Sequence, residues 1–364
     1  MAQLVAQLWY NAGMSFQPRY VLTQRLRDNL REIERLKGQV CTTMIAPSAE
    51  MAVRLRASVE AVHSSTAIEG NPLDLRQVRE VITTGKHLTR DEYAVIEVSN
   101  YKKAWDYIQQ RRLREDELTV SDILDLHRLI TSGLLDETRC GCVRQIPVVI
   151  ENSQRQVLYQ AVEAERVSTE LEQLIDWVRQ SQFNVHPVVV AGVIHLQLLN
   201  IHPFADGNGR TARATTALYL ALQGYDNDGG LVLDTYYASD RAAYYRMLQE
   251  VSGRDYNCAC AADWTAWLEY FVSGVVSSLH VLAAEMKIAG MLTDRQSSLW
   301  DRIDQEIVSA IVKWGRVTIS QLETLLPEVS RRSLQRRLQD LVQAGFLRKV
   351  GETKDVYYVQ EEGA

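Results

Sequence analysis

The chain has 364 residues, a formal net charge of -6 and a pI near 5.7, and 46% of its residues are hydrophobic. This composition is typical of a folded globular protein of two or three domains, and its acidic balance excludes a general nucleic-acid coat protein while leaving a local basic patch open. We find neither a signal peptide nor an apolar run approaching the ~20 residues of a membrane span. The sequence therefore predicts a cytoplasmic protein that does not enter a membrane.

The first hundred residues are predicted to form helices. Apolar residues recur at spacings of three and four over 20–36, 51–68, 75–82 and 92–108, with charged residues between them, and this pattern is typical of amphipathic helices. The second helix is expected to stop at Gly70-Asn71-Pro72, because proline disfavours helix in the residue before it.

The middle of the chain is predicted to combine helices with one small hairpin. Thr119 is the expected cap of a helix that runs to Leu135. The extended runs 143–150 and 156–160 flank a polar turn and predict a hairpin, with Pro147 placing the first run at an edge. Further helices are expected over 162–180, 188–200, 210–222, 241–251 and 264–282. The helix at 188–200 is apolar on all sides, which predicts a central, buried position.

The C-terminal residues are predicted to form a separate module. Helices are expected over 300–312, 318–325 and 330–344, followed by strands over 346–350 and 356–359. Three helices and a terminal hairpin are the order of a winged helix-turn-helix. The third helix carries four arginines, which either contact DNA or form a solvated face: Arg331, Arg332, Arg336 and Arg337.

Five cysteines are present, and the odd number argues against a disulfide framework. Cys140 and Cys142, and likewise Cys258 and Cys260, form Cys-x-Cys pairs. Four thiolates could hold zinc, but zinc-finger cysteines are usually separated by two or more residues. We favour free, reduced thiols over a structural metal.

A stretch of twelve residues, HPFADGNGRTAR, lies between the helices at 188–200 and 210–222. The backbone N–H groups of Gly207-Asn208-Gly209, which leads into a helix, can form an anion-binding cradle. Arg210 and Arg213 are three residues apart and thus lie on one helix face, where two cations suit a polyphosphate. Asp206 supplies a hard oxygen ligand for Mg²⁺, and His202 can accept a proton from an incoming hydroxyl. The stretch predicts transfer of part of a nucleotide to a hydroxyl.

This stretch resembles the complete signature of the Fic family, without departure at a functional position. Similarity to Fic proteins extends over about residues 50–285 and includes His195, Gly141, Arg144 and the Asp240-Arg241-x-x-Tyr244-Tyr245 segment. The resemblance implies protein AMPylation, in which AMP from ATP is joined to a Ser, Thr or Tyr hydroxyl of a target protein and pyrophosphate is released.

The resemblance also implies a role for each matching residue. His202 is the general base, Asp206 holds Mg²⁺, Gly207, Asn208 and Gly209 bind the phosphates with Arg210 on the β/γ side, and Arg213 orients the γ-phosphate. Phe204 anchors the loop, and residues 143–159 form a flap that holds the target main chain by strand addition. Tyr244 and Tyr245 either line the nucleotide pocket or pack in the core.

Ser65-Thr66-Ala67-Ile68-Glu69-Gly70 resembles the inhibitory motif of Fic proteins, Ser/Thr-x-x-x-Glu-Gly/Asn, placed N-terminal to the core. Ser65 and Glu69 are four residues apart on one helix face. Glu69 is expected to pair with Arg213 and so to occupy the cation that the γ-phosphate needs. The alternative is a surface carboxylate at a helix end.

We therefore predict a mainly α protein: a helical region with the inhibitory helix over 1–110, a Fic catalytic core with a hairpin flap over 111–288, and a winged helix-turn-helix over 289–364. Expected partners are ATP, Mg²⁺, a protein substrate and a second copy of the chain. Two alternatives remain: a DNA-binding regulator acting through residues 289–364, and a Fic enzyme that removes AMP or transfers phosphate, UMP or phosphocholine.

Overall fold

The computed structural model describes residues 16–85, 91–114, 117–151, 154–295, 302–343, 347–351 and 356–360. Helices dominate these residues: α1 (Gln24–Thr42), α2 (Pro47–Ile68), α3 (Leu75–Thr84), α4 (Glu92–Arg111), α5 (Val120–Thr131), α6 (Val167–Ser181), α7 (Pro187–Ile201), α8 (Asn208–Leu222), α9 (Asp234–Ser239), α10 (Arg241–Ser252), α11 (Tyr256–Ala261), α12 (Thr265–Arg295), α13 (Arg302–Trp314), α14 (Ile319–Leu325) and α15 (Arg331–Gln343). Two antiparallel hairpins complete the fold, β1 (Val149–Glu151) with β2 (Val157–Gln160) and β3 (Leu347–Val350) with β4 (Tyr357–Gln360). The predicted mainly α fold is confirmed.

The chain forms two compact units, and their limits differ from the predicted domain boundaries. The first contains residues up to 38 and 54–279, and the second contains 39–53 and 280–364. The predicted boundary at residue 110 separates no units, because α4 belongs to the same compact unit as the helices that follow it. The second unit begins at His280 rather than at residue 289 and includes a segment from early in the chain.

The centre of the first unit is α7, as the apolar sequence predicted. Val189, Ile194 and Leu196 in this helix have no exposed surface. The helix begins at Pro187, and the ring of the preceding His186 accepts a bond from the Val188 amide at 3.2 Å. Proline suits this first position because its missing N–H would have had no helical partner.

One helix does not fit the sequence expectations about membranes. Thr265–Gly290 is long and apolar enough to cross a membrane, with a mean hydropathy of 1.3, so the expectation that no such run exists was wrong. Half of this segment is buried inside the protein. Trp267 and Phe271 have no exposed surface, and the Trp267 indole donates to the Gly192 carbonyl at 2.8 Å. The apolar residues of this helix therefore serve protein cores: Trp267 and Phe271 lie in the first unit, and Ile288 belongs to the core of the second.

The hairpin of the first unit is shorter than predicted. Its first strand begins at Val149 rather than at residue 143, and Ile150 pairs with Tyr159. Residues 143–148 are not a strand, because Arg144 turns inward and bonds to carbonyls of other segments while Pro147 lacks an N–H. The Tyr159 hydroxyl donates to the Asn200 carbonyl at 2.9 Å and so fastens the hairpin to the end of α7.

The second unit contains the predicted order of three helices and a hairpin. Thr318 caps α14 and exchanges bonds with Gln321, as its position before the helix indicated. The core of this unit is formed by apolar side chains that include Ile307, Ile311, Leu322, Leu334, Leu338 and Tyr358.

The arginines of α15 do not share one solvated face. Arg337 is largely buried and donates to Asp304 at 2.7 Å, so the prediction that it belongs to an exposed basic face was wrong. Arg331 is exposed but pairs with Glu323 at 2.7 Å. Arg332 and Arg336 are exposed.

Candidate active site

The loop between α7 and α8 begins at His202, where the backbone turns left-handed with φ 51° and ψ 62°. The turn falls here because Pro203 disfavours helical geometry in the residue before it. The His202 Nδ1 lies 3.4 Å from the Leu199 carbonyl oxygen. Since a carbonyl only accepts, the proton is on Nδ1, and Nε2 retains a lone pair. Burial lowers the pKa of His202 to about 4, so the ring is a neutral base at pH 7.

Two buried side chains hold the start of this loop. The Arg144 guanidinium donates to the His202 carbonyl at 2.7 Å, and the Arg144 amide donates to the Pro203 carbonyl at 2.9 Å. The Asn208 side chain bonds to both the amide and the carbonyl of Phe204 at 2.9 Å. Phe204 itself is fully buried and stacks on His127 at a centroid distance of 3.7 Å. Phe204 is thus an anchor of the loop, as predicted, and the Asn208 side chain braces the backbone.

The end of the loop forms a cradle for an anion. Gly207 has a φ of 78°, a left-handed conformation that favours glycine, and α8 begins at the next residue. The first amides of a helix have no intrahelical acceptors. Those of Asn208, Gly209 and Arg210 therefore remain for an anion, whose charge the helix dipole also favours.

Asp206 is the predicted ligand of Mg²⁺, and its side chain is exposed beside this cradle. Its Oδ1 accepts a bond from the Gly207 amide at 2.6 Å. Among the described residues no group of three or more His, Cys, Asp or Glu side chains could hold a metal ion. A single carboxylate beside a phosphate cradle nevertheless fits Mg²⁺, which commonly takes one or two carboxylates together with substrate phosphates.

Arg210 is held by a carboxylate that the sequence did not indicate. Its Nη1 donates to Glu97 at 2.6 Å, and both side chains are buried. The other oxygen of Glu97 accepts a bond from Asn71 at 2.6 Å. Arg210 is therefore fixed through α4 to the turn that follows the Ser65–Gly70 motif.

Arg213 has the predicted partner and one more. Its side chain is 1% exposed and donates to the Ser65 hydroxyl at 2.8 Å, to the Ser65 carbonyl at 2.9 Å and to Glu69 at 2.7 Å. A second carboxylate, Asp234, lies 3.4 Å from its Nε. The predicted ion pair between Glu69 and Arg213 is thus present in the structure.

The Glu69 carboxylate also lies directly over the cradle. A methyl group at Gly209 would approach its Oε1 to 2.5 Å, which no real contact allows. Burial by itself would raise the pKa of Glu69, but Arg213, Arg210 and Arg241 outweigh it and hold that pKa below its usual value. Glu69 is therefore ionised at neutral pH and competes with any other anion for the same cation.

The two tyrosines of α10 have different environments. Tyr244 is 1% exposed, and its hydroxyl lies 2.9 Å from the Nε2 of His195, which favours the core-packing alternative. Tyr245 is 41% exposed, the guanidinium of Arg241 lies 5.4 Å from its ring centre, and its hydroxyl donates to the Ile68 carbonyl at 3.4 Å. Tyr245 thus remains a candidate lining residue at the end of α2.

All five cysteines are free thiols. Cys140 is buried, and its sulfur lies within 3.5 Å of the Thr131 and Asp136 carbonyl oxygens. Cys142 and Cys258 are exposed. Cys140 therefore contributes to packing, whereas Cys142 and Cys258 are surface groups.

Sequence reasoning missed three residues that hold the site: Glu97, His127 and Asp234. Each lies far along the chain from the residue that it contacts, so spacing gave no signal. The acidic Glu97 and Asp234 are buried, at 5% and 3% exposure. A buried carboxylate needs a partner, which is the one cue that could have pointed to the arginines.

His195 provides a prediction about stability. Burial lowers its pKa to about 3, with a contribution from Arg213, while the unfolded ring titrates near 6.5. The unfolded state therefore binds the extra proton first, and stability is lost as pH falls below about 6.5. We expect this ring to cost roughly 2 kcal/mol of unfolding free energy between pH 7 and pH 5. Urea unfolding should show a smaller pH dependence in His195→Gln, and equal dependence in both proteins would contradict the prediction.

The geometry defines a class of protein: a helical fold in which a loop with a neutral histidine and a carboxylate leads into a helix that carries an anion cradle and two arginines at its start. Residues 117–220 match the family model described as Fic/DOC family, and the chain thus contains a Fic domain. It is 30% identical over 258 residues to protein adenylyltransferase fic-1 of Caenorhabditis elegans, covering 67% of this chain and 47% of that protein. To protein adenylyltransferase Fic of Drosophila grimshawi it is 32% identical over 170 residues, covering 45% and 33%. The chain spans about half the length, or less, of these curated relatives.

Solved structures show the same fold. A Fic family protein from Desulfovibrio desulfuricans G20 superposes with a TM-score of 0.62 at 23% identity, covering 96% of this chain and 99% of that chain. Residues 134–508 of Fic-1 from C. elegans superpose with a TM-score of 0.56 at 24% identity, covering 75% and 73%. The match of residues 117–220 to the Fic/DOC family model confirms the recognition made from the HPFADGNGRTAR stretch.

Proposed function

We propose that this protein is an adenylyltransferase that joins AMP from ATP to a hydroxyl of a protein, itself included, and that Glu69 holds it inactive. The observation that carries the proposal is the loop itself. It places a neutral His202 with an open Nε2 in the same segment as a phosphate cradle and two fixed arginines. The curated relatives named protein adenylyltransferase support the same reaction.

The chemistry follows from the positions of these groups. The amides at the start of α8 and Arg210 bind the phosphates of ATP, and Arg213 orients the γ-phosphate. A substrate hydroxyl attacks the α-phosphorus, and His202 Nε2 accepts its proton as the new P–O bond forms. The bond from the α-phosphorus to the bridging oxygen breaks, and pyrophosphate leaves. Mg²⁺, held by Asp206, would neutralise charge on the phosphates.

Glu69 limits this reaction by occupying Arg213. With the carboxylate 2.7 Å from Nη2 and over Gly209, a γ-phosphate at the same cation would meet a like charge. ATP would then bind in a pose that does not align the α-phosphorus with the hydroxyl. Near-attack geometry is worth orders of magnitude in rate, so a small displacement is enough.

The hairpin supplies the target site in this proposal. β2 is already bonded at its end, since the Gln160 amide donates to the Arg254 carbonyl at 2.9 Å. The docking edge is therefore β1, where a target segment adds as a further strand. Val149 and Val157 are exposed on the hairpin and offer apolar contacts beside that strand.

The test is intact-mass analysis of the purified protein after incubation with ATP and Mg²⁺. We expect Glu69→Gly to gain the mass of one AMP and to release pyrophosphate, with far less modification of the parent protein. An adduct with the mass of phosphate, UMP or phosphocholine from the corresponding donor would favour the alternative transfers. Loss of AMP from a previously modified protein would favour the hydrolytic alternative. Absence of any change, with Glu69→Gly also inactive, would overturn the proposal.

A second candidate function concerns the C-terminal unit, which in the proposal is a winged helix that binds DNA through residues 289–364. The observation in its favour is the exposure of Arg332 and Arg336 on the third helix of the module. The full chain should bind duplex DNA with an affinity that falls steeply with salt. The double variant Arg332→Glu, Arg336→Glu should lose this binding. The control is the double variant Arg27→Glu, Arg139→Glu, which changes two exposed arginines of the first unit and should still bind. Equal binding by both pairs would contradict the assignment.

The homodimer is likewise a proposal. The molar mass of the protein in solution, measured by light scattering, tests it.

A further inference from the structure

His127 is a fully buried histidine that the residues of the loop signature do not include. It lies in α5 and has no exposed surface. Its Nδ1 accepts a bond from the Gly141 amide at 2.9 Å, and its Nε2 lies 3.0 Å from the Asp206 carbonyl oxygen. Its ring stacks face to face on Phe204, with an interplanar angle of 3°.

The partners of His127 fix its protonation. A backbone N–H only donates, so Nδ1 must carry the lone pair. A carbonyl only accepts, so Nε2 must carry the proton and donate to Asp206. One neutral tautomer satisfies both bonds, and this arrangement leaves the ring no freedom to rotate.

The same face of α5 shapes the next turn of the loop. Thr131 lies four residues after His127, and its methyl group is so close to Gly207 that a Cβ there would approach it to 2.9 Å. The contacts with Phe204, Asp206 and Gly207 therefore follow one another along α5. The loop therefore packs against α5 at the residues that come immediately before the phosphate cradle.

Residues 141–144, which contact His127 through its Nδ1, also bond to the loop. Gly141 has a φ of 72°, and a Cβ there would lie 2.9 Å from the Leu124 carbonyl oxygen, so only glycine brings this amide to the ring. Three residues later Arg144 binds the His202 and Pro203 carbonyls. The segment from Gly141 to Arg144 thus bonds to the start of the loop directly and to its end through His127.

We propose that His127 is a positioning residue, which through its Nε2–H bond to the Asp206 carbonyl sets the position of Asp206 and of the cradle at Gly207. Both ring nitrogens bond to main-chain groups, so the ring acts on the cradle through Asp206. The role in transfer rests on the proposed function, whereas the positioning of the loop can be measured without it. A bond to main chain is suited to this task because it leaves the Asp206 carboxylate open for ligands.

The chain offers a matched pair of variants. In His127→Gln an amide N–H can reach the place of Nε2 and donate to Asp206, whereas in His127→Asn the shorter side chain reaches only the place of Nδ1. Both lose the ring that stacks on Phe204. Tyr256→Phe is the control for general loss of buried hydrogen bonds, because its hydroxyl bonds to Glu170 at 2.7 Å and to Gln197 at 2.9 Å, away from the loop.

The first readout is kcat for automodification at saturating ATP in a Glu69→Gly background. We expect His127→Asn to lower kcat by roughly 10- to 100-fold, because small misplacements at the reacting groups have effects of this size. His127→Gln should regain much of the loss, and Tyr256→Phe should stay within about twofold of its parent, as a change remote from the loop should. Should His127→Asn fail to fold, His127→Phe, which also lacks the donor, takes its place.

The second readout is hydrogen exchange of peptides that cover residues 202–211. Exchange should be faster in His127→Asn than in His127→Gln or Tyr256→Phe, with α10 unchanged. Equal exchange and equal kcat in the Asn and Gln variants, or unfolding of every His127 variant, would overturn the positioning role. If the Glu69→Gly parent shows no transfer, the proposed function fails, and the exchange data alone decide for or against His127.

Discussion

Replacing Glu69 by glycine should raise the rate of automodification with ATP and Mg²⁺ by roughly 10- to 100-fold, the scale on which near-attack geometry acts. The carboxylate that now lies 2.7 Å from Arg213 Nη2 would be gone. The Arg213 side chain would keep its conformation, because the Ser65 hydroxyl and Asp234 still contact its Nε. The N–H of Nη2 that now bonds to Glu69, and the space over Gly209, would then receive the γ-phosphate, while Nη2 keeps its bond to the Ser65 carbonyl. Incubation with labelled ATP, followed by gel autoradiography, measures the rate.

The control for this variant is Ala67→Gly. It introduces a glycine into the last turn of α2, two residues before Glu69, and leaves the ion pair in place, so any effect of helix flexibility alone would be seen there. Glu69→Gln is informative as well, because it keeps the size of the side chain and removes its charge. It should be activated less than Glu69→Gly if part of the inhibition comes from blocking the cradle. A Glu69→Gly protein no more active than its parent would refute the inhibitory assignment.

In the activated background, His202→Ala should lower the transfer rate by about 10² to 10⁴-fold, the range expected for loss of a general base. The ring is the base because its Nδ1 proton is engaged with the Leu199 carbonyl and its lowered pKa keeps Nε2 unprotonated at pH 7. The loop should survive the change, since Arg144 and Asn208 hold its backbone without using the imidazole.

Measuring ATP affinity distinguishes loss of the general base from disruption of the loop in the His202→Ala variant. Isothermal titration of ATP with Mg²⁺ should give nearly the same Kd for Glu69→Gly with and without His202→Ala, because the cradle and both arginines are unchanged. A variant that binds ATP and transfers AMP at the parent rate would show that another group accepts the proton. A variant that loses ATP binding would show that His202 supports the cradle instead.

The cations of the candidate site are held by other side chains, so under the proposed function ATP would meet them already in place. Arg210 is bound by Glu97 and Arg213 by Asp234, so neither cation depends on Glu69 for its position. Asn71, which follows the inhibitory motif, bonds to Glu97. Movement of the end of α2 would therefore reach both arginines, one by direct contact and the other through a shared carboxylate.

The sequence by itself determined the local features of this protein. Thr119 and Thr318 cap their helices, the helix before His202-Pro203 stops there, and Gly207 starts the turn into α8. These features depend on residues three or four positions apart, and such spacing is visible in the chain. The resemblance to Fic proteins supplied the link from Glu69 to Arg213, which no spacing could give.

Only the tertiary structure decided which distant side chains hold the site. Glu97 reaches Arg210 from 113 residues away, and His127 reaches the Asp206 carbonyl from 79 residues away. The short helices α9 and α11 were also missed, and so was the true start of the hairpin, where Arg144 bonds to carbonyls of distant segments. The physical reason is the same in each case. Backbone geometry follows from neighbours in sequence, whereas a buried polar group takes whichever partner the packing of helices brings to it.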